Sequence, residues 1–149
     1  MRISSLPYID EHTTDIAAGV DDVWRSLGRT LDRSFSRPGA AGYARLVGCP
    51  DRTAAGPRPL AEGSTFPGFR VVAAVPGREL ILEGSHRFSS YALIFRLEHV
   101  GPYHSRLRAE SRAVFPGRAG GLYRRLVIGT GGHAIGMRRL LSAIRDRAE

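Results

Sequence analysis

The sequence predicts an α+β fold: a curved antiparallel β-sheet, two short helices near the N-terminus, and a long C-terminal helix packed across one face of the sheet. Three observations predict it. Residues 66 to 115 alternate apolar and polar side chains almost without interruption, the period of two expected of strands covered on one face only. Residues 20 to 35 and 118 to 148 instead repeat apolar side chains every three to four positions, as amphipathic helices do. The chain has 149 residues, 42% of them apolar, enough for a single domain over 1–149 to bury a core without disulfide or metal staples.

Residues 8 to 18 read as a first strand with His12, Thr14, Ile16 and Ala18 on one face. From Val20 the period changes, and Val20, Val23, Trp24, Leu27, Leu31 and Phe35 form a helical stripe. Asp21 and Asp22 open that helix and Arg29, Arg33 and Arg37 close it, the order its dipole favours; Pro38-Gly39 stops it, and Gly28 is a candidate break between two short helices. A short strand is expected at Tyr43 to Val47. Residues 49 to 64 carry three prolines and two glycines without periodicity, the composition of a lid or entrance loop.

The strand region breaks at Pro76-Gly77, near Ser89-Ser90 and at Gly101-Pro102. Its alternation turns Leu80, Leu82, Gly84, His86 and Phe88 to one face, with Tyr91, Leu93, Phe95 and Leu97 and then Leu107, Ala109, Ser111, Ala113 and Phe115. Arginines and glutamates interleave on the opposite face, which is the pattern of a solvated surface. In the final segment Tyr123, Leu126, Thr130, His133, Met137, Leu140 and Ile144 recur at spacings of 3 and 4. A straight helix of that span would be about 46 Å long at 1.5 Å per residue, wider than the domain, so it is expected to bend. Gly129, Gly131 and Gly132 mark where.

The formal charge is +8, and all 22 basic residues are arginine. The absence of lysine beside abundant Gly, Ala and Pro has the look of a GC-rich genome, so the charge alone does not argue for a nucleic-acid partner. No apolar run approaches the roughly 18 residues of a membrane span, and the opening MRISSLPYIDEHT lacks the features of a secretory signal. A cytoplasmic protein with no membrane insertion is expected, and the lone Cys49 agrees with a reducing compartment.

GTGGHA at 129 to 134 fits a dinucleotide fingerprint, but only fifteen residues follow it, leaving no place for the second strand and acidic residue the motif needs. The five histidines form no H-x-H or HExxH pair, so neither metal nor cofactor is expected. No nucleophile elbow or phosphate loop occurs. His12, His86 and His133 fall on inward faces and could meet in the interior; His99 and His104 flank a turn and are expected to be exposed.

DIAAGVDDVWRSL at 15 to 27, GFRVVAAVPGRELILEGSHRFSSYALIFRLE at 68 to 98 and FPGRAGGLYRRLVIGTGGHAIGMRRLLSAI at 115 to 144 resemble the strand-to-helix, central-hairpin and closing-helix segments of the START-like, birch-pollen-allergen-like helix-grip superfamily (SRPBCC). The likeness is to its small bacterial polyketide cyclase/dehydrase-like members. Ala18-Gly19-Val20 lacks the proline often found before the Val-Trp helix. The resemblance implies a sheet and helix held apart around an apolar ligand. Small or polar inward residues agree with that: Gly84, His86, Ala109, Ser111, Ala113, Thr130 and His133 stand where a filled interior would place bulky aliphatics.

The expected function is therefore binding of a small hydrophobic or aromatic molecule, lipid-like ligands included, by a monomer or homodimer acting as carrier, sensor or cyclase-like protein. The strand residues expected to meet the ligand are His86, Phe88, Tyr91, Phe95 and Ser111; the helical ones are Trp24, Tyr123, Leu126, Thr130, His133 and Met137. Trp24 also reads as a core anchor. Should a reaction occur, an aromatase/cyclase or dehydrase using proton transfer is the alternative, with His86 or His133 as base and Tyr91, Tyr123 or Ser111 orienting an oxygen. A basic nucleic-acid module, whose binding would be steeply salt-dependent, and an interaction protein with a filled cavity are the remaining alternatives.

Overall fold

A computed structural model describes residues 6–35, 39–129 and 131–149. Strands β1 (Tyr8–Ile16), β2 (Thr65–Phe66), β3 (Phe69–Val75), β4 (Glu79–His86), β5 (Ser89–Gly101) and β6 (His104–Val114) form one antiparallel sheet in the order β1-β6-β5-β4-β3-β2. Helices α1 (Val20–Phe35) and α2 (Ala40–Leu46) precede β2, and α3 (Gly117–Arg124), a π-helical turn (Arg125–Gly129) and α4 (Gly132–Ala148) close the chain. This is the α+β helix-grip architecture.

The predicted alternation sorts the sheet. Leu80, Leu82, Phe95, Leu97, Leu107 and Ala109 are buried together with Val23, Leu27 and Leu31 of α1 and Met137, Leu140, Leu141 and Ile144 of α4. Burying each such side chain contributes roughly 1.5–3 kcal/mol. Helices α1 and α4 touch directly, the Ser26 hydroxyl donating to the Ile144 carbonyl oxygen at 2.6 Å. Gly28 does not divide α1, which runs unbroken with Leu60 packed 3.9 Å from the place of a Cβ. At the strand-to-helix corner a Cβ on Gly19 would lie 2.9 Å from the Pro102 carbonyl oxygen, so the lack of a side chain permits that approach.

The outer face carries an ion-pair lattice. Arg96 reaches Glu79 and Glu110, Arg106 reaches Asp15 and Glu98, and Arg108 reaches Glu11 and Glu98. The arginine stripe of the strands is thus matched by neighbouring carboxylates.

Two further expectations are corrected. Tyr43 to Val47 is not a strand: AAGYARL is alanine-rich and coils as α2 after Gly39, which adopts φ 87°. The hairpin turn expected at Ser89-Ser90 falls at Arg87-Phe88, and Ser89 already pairs with His86. The closing helix breaks at the glycines that mark its expected bend. Gly131 adopts φ 77° at the start of α4, a left-handed conformation that ends the helical ladder and resets its phase. Leu126 is consequently 62% exposed while Met137, Leu140 and Ile144 stay buried. Thr130 lies outside the described residues.

Loop 47–64 is pinned in place. Leu60 is buried in the core, Arg58 reaches Asp32 at 2.9 Å, and the Ser64 hydroxyl donates to the Pro57 carbonyl oxygen at 2.8 Å.

Candidate functional site

Register shows where the inner face stops being solid. One rung across the sheet aligns Ala74, Leu80, Phe95, Ala109 and His12; another aligns Val71, Leu82, Leu93 and Ser111 with Asp10. The next aligns Gly84, Tyr91 and Ala113, and beyond it His86 faces Ser89. Bulk is lost along this series. A cavity of about 640 Å³ opens over the last rungs, roofed by α2, α3, the π turn and the first turns of α4. Its walls include Phe35, Phe69, Leu93, Phe115, Val127, Ile128 and Leu140, with a few polar groups set among them.

Gly84 organises one wall. A Cβ there would lie 2.0 Å from the Gly68 carbonyl oxygen and 2.5 Å from the Tyr91 ring, so the bare backbone lets the ring lie down and its hydroxyl donate to Gly68 at 2.7 Å. Phe69 packs edge-on against Tyr91 and stacks on Phe35 with centroids 4.6 Å apart. Burial, and the Cys49 thiol beside it, hold the Tyr91 phenol well above the ordinary tyrosine range. Burial, with Tyr43 alongside, pushes Tyr123 up to about 12. Both phenols remain protonated near neutral pH. Burial also raises Cys49, which stays a thiol.

His86 sits among aromatic rings, 4.9 Å from Tyr123 and 5.5 Å from Tyr91 between centroids. Burial lowers its pKa, so the neutral ring is favoured. The Phe88 backbone N–H donates to Nδ1 at 3.1 Å. That bond assigns the proton to Nε2, making His86 a hydrogen-bond donor with its lone pair already engaged.

The second polar group forms at the end of β1. Asp10 pairs with Ser111 in the same register as Glu11 with Glu110 and His12 with Ala109, so the alternation of β1 sets it on the inner side. His133 Nε2 is 3.0 Å from Ser111 Oγ and 3.4 Å from Asp10 Oδ1, while Asp10 Oδ2 is 3.1 Å from His12 Nε2. Among the described residues, Asp10 Oδ1 is buried with no hydrogen-bond partner. Serine and carboxylate approach the same nitrogen, so this is not a nucleophilic triad, which places them on opposite nitrogens of the ring. With the carboxylate favouring a proton on Nε2, Nδ1 becomes the basic nitrogen and the Ser111 hydroxyl is free to donate. Among the described residues no group of three histidine, cysteine or carboxylate side chains is placed to hold a metal ion.

Of the residues expected to meet a ligand, His86, Tyr91, Ser111, Tyr123, His133 and Met137 line the cavity. Four do not. Phe95 is fully buried in the solid core, Trp24 packs against that core, and Leu126 points outward. Phe88 stacks on Tyr123 at 5.6 Å and supports it from behind. The three inward histidines do not converge: Asp10 joins His12 to His133, and His86 stands with the aromatic group. His99 and His104 are exposed. Asp10, Tyr43, Ala44, Cys49 and Arg139 are not legible as site residues in the sequence, Tyr43, Ala44 and Arg139 because helical placement brings them to the site and Cys49 because the turn after α2 does. Asp10 could have been found by carrying the alternation of His12, Thr14 and Ile16 one step back.

No family model matches the chain, and no curated protein does. Solved structures match over nearly its whole length. The Zhui aromatase/cyclase from Streptomyces sp. R1128 superimposes with a TM-score of 0.60 at 15% identity, covering 96% of this chain and 93% of that one. A protein from Arthrobacter aurescens gives 0.59 at 15% identity over 99% and 92%. CalU16 from Micromonospora echinospora gives 0.56 at 14% identity over 95% and 80%. What the chain shares with them is the helix-grip fold.

Proposed function

We propose that residues 1–149 form a single START-like domain that binds a small hydrophobic or aromatic molecule between the sheet and the C-terminal segment. The observation that carries this reading is the cavity of about 640 Å³, within the range of roughly 300–1,000 Å³ usual for small-ligand sites. Its aromatic walls suit a flat apolar body. The donors His86 Nε2–H, Tyr123 and Ser111 suit ligand oxygens. The Cys49 thiol fits a reducing, cytoplasmic setting. Native mass spectrometry of the purified protein tests the proposal: a co-purifying species of a few hundred daltons, lost on denaturation, is expected. Failure of the protein to retain any of a panel of polycyclic aromatic and fatty-acid ligands would overturn it.

A cyclase-like reaction is the second reading, favoured by the His133–Ser111–Asp10 arrangement at the cavity wall and by the aromatase/cyclase among the structural neighbours. Removal of a proton from the carbon between two carbonyls needs a base with a free lone pair. His133 Nδ1 offers one; His86, whose Nδ1 is engaged, instead orients an oxygen. With a poly-β-keto model compound, His133→Gln should lower kcat by about 100-fold, whereas His86→Gln should act mainly on KM. The opposite split would reverse the two roles.

A further inference from the structure

The roof over the cavity also carries a run of cations. No Asp or Glu occurs between Glu110 and Asp146, yet Arg118, Arg124, Arg125, Arg138 and Arg139 fall in that stretch, all exposed. Arg118, Leu122 and Arg125 follow one another at spacings of four and three, which brings them to one side of a helix. Tyr123, Val127 and Ile128 turn to the cavity instead. Leu122 is 61% exposed and Ile135 51%; on α2, which also roofs the cavity, Tyr43 and Leu46 are 54% and 70% exposed. The roof elements therefore carry exposed apolar side chains together with arginines that form no ion pair among the described residues, Arg124 resting over the Phe115 ring, whereas the outer sheet face matches its arginines with carboxylates.

We propose that this roof docks onto a lipid bilayer containing anionic phospholipid, lying against it without crossing it. Guanidinium groups pair with lipid phosphates, and Leu122, Ile135, Tyr43 and Leu46 sink into the boundary between headgroups and acyl chains. Charge complementarity selects the anionic surface. The intervening apolar side chains favour a bilayer over a nucleic acid, which has no interior to receive them. No described helix is long and apolar enough to span a membrane, so contact is peripheral. An apolar ligand could then pass between bilayer and cavity without traversing water. Docking itself does not depend on the ligand proposal.

The test is co-sedimentation of the full chain with vesicles of phosphatidylcholine alone or with about 30% phosphatidylglycerol, from about 50 mM to about 0.5 M salt. Binding to the anionic vesicles should be at least tenfold tighter than to neutral ones and should weaken with salt. Arg118→Gln with Arg125→Gln, and separately Leu122→Ser with Ile135→Ser, should each weaken it about tenfold. Arg29→Gln with Arg78→Gln, removing two exposed arginines elsewhere, should leave it within about twofold. All are surface changes, so folding is preserved. Equal losses in roof and control variants would overturn the proposal. So would the absence of vesicle binding, and roof-dependent binding to an acidic polypeptide or RNA in its place would assign the surface to that partner. Native mass spectrometry of the same variants reads ligand retention separately.

Discussion

The two ends of the inner sheet face obey the same alternation and do opposite things. Near the turn joining β5 and β6, inward positions hold Leu80, Phe95, Leu97 and Leu107, and α1 and α4 close directly upon them. Toward the other end the same alternation delivers Gly84, Tyr91, Ser111, Ala113 and His86, and the covering elements stand off. The difference teaches that a cavity in this fold is not a failure of packing. It arises where small and polar residues replace aliphatic ones on the sheet while the closing helix is interrupted above them.

Breaking the packed end should have the largest effect. Phe95→Ala removes a side chain only 1% exposed, and denaturant unfolding should show a loss of about 3–5 kcal/mol. At the boundary, Gly84→Ala should destabilise by about 1–3 kcal/mol, because the new methyl would collide with the Gly68 backbone and displace Tyr91. A neutral result there would mean that the Tyr91 wall is easily rearranged. Ala113→Leu sharpens the contrast: it adds volume to the hollow end, so stability should move by less than about 1.5 kcal/mol while retention of a co-purifying molecule falls at least tenfold. A large destabilisation would instead show that the cavity wall cannot accept volume.

The smallest effects are those of pH. Because burial lowers the His86 pKa below its ordinary value of 6.5, the unfolded chain takes up a proton that the folded chain refuses. Stability from this residue is full above pH 6.5 and declines as the pH falls toward the folded value, then levels off. His86→Gln should flatten that decline in chemical denaturation curves. Tyr123 gives the mirror case: raised to about 12 from 10, it should cost stability as pH rises from 10 to about 12, and Tyr123→Phe should remove the slope.

The strands were legible because a sheet covered on one face writes its orientation into every second residue. Residues 80–86, 91–97 and 107–113 read correctly for that reason, as did the stripe of α1. Residues 43 to 47 misled because YARLV satisfies a period of two as well as it satisfies one helical turn, and so short a run offers nothing more to choose between them. Leu126 misled because spacings of 3 and 4 continue through Gly131 in the sequence, while its φ of 77° restarts the helix with a new phase. Asp10 is the inward residue hardest to read, because a carboxylate runs against the apolar pattern even though it continues the alternation of His12, Thr14 and Ile16.

By itself, the sequence determined which side chains face inward and which period each segment follows, since both are local consequences of strand and helix geometry. Only the tertiary structure decided which inward positions are covered tightly and which border empty space. That choice depends on the distance between sheet and roof, which is set by contacts between residues far apart in the chain, such as the Ser26–Ile144 hydrogen bond that closes the packed end. The same holds for charge: the arginines are countable at once, but only the fold matched those of the strands with carboxylates and, among the described residues, left Arg118, Arg125 and Arg138 of the roof without an ion pair.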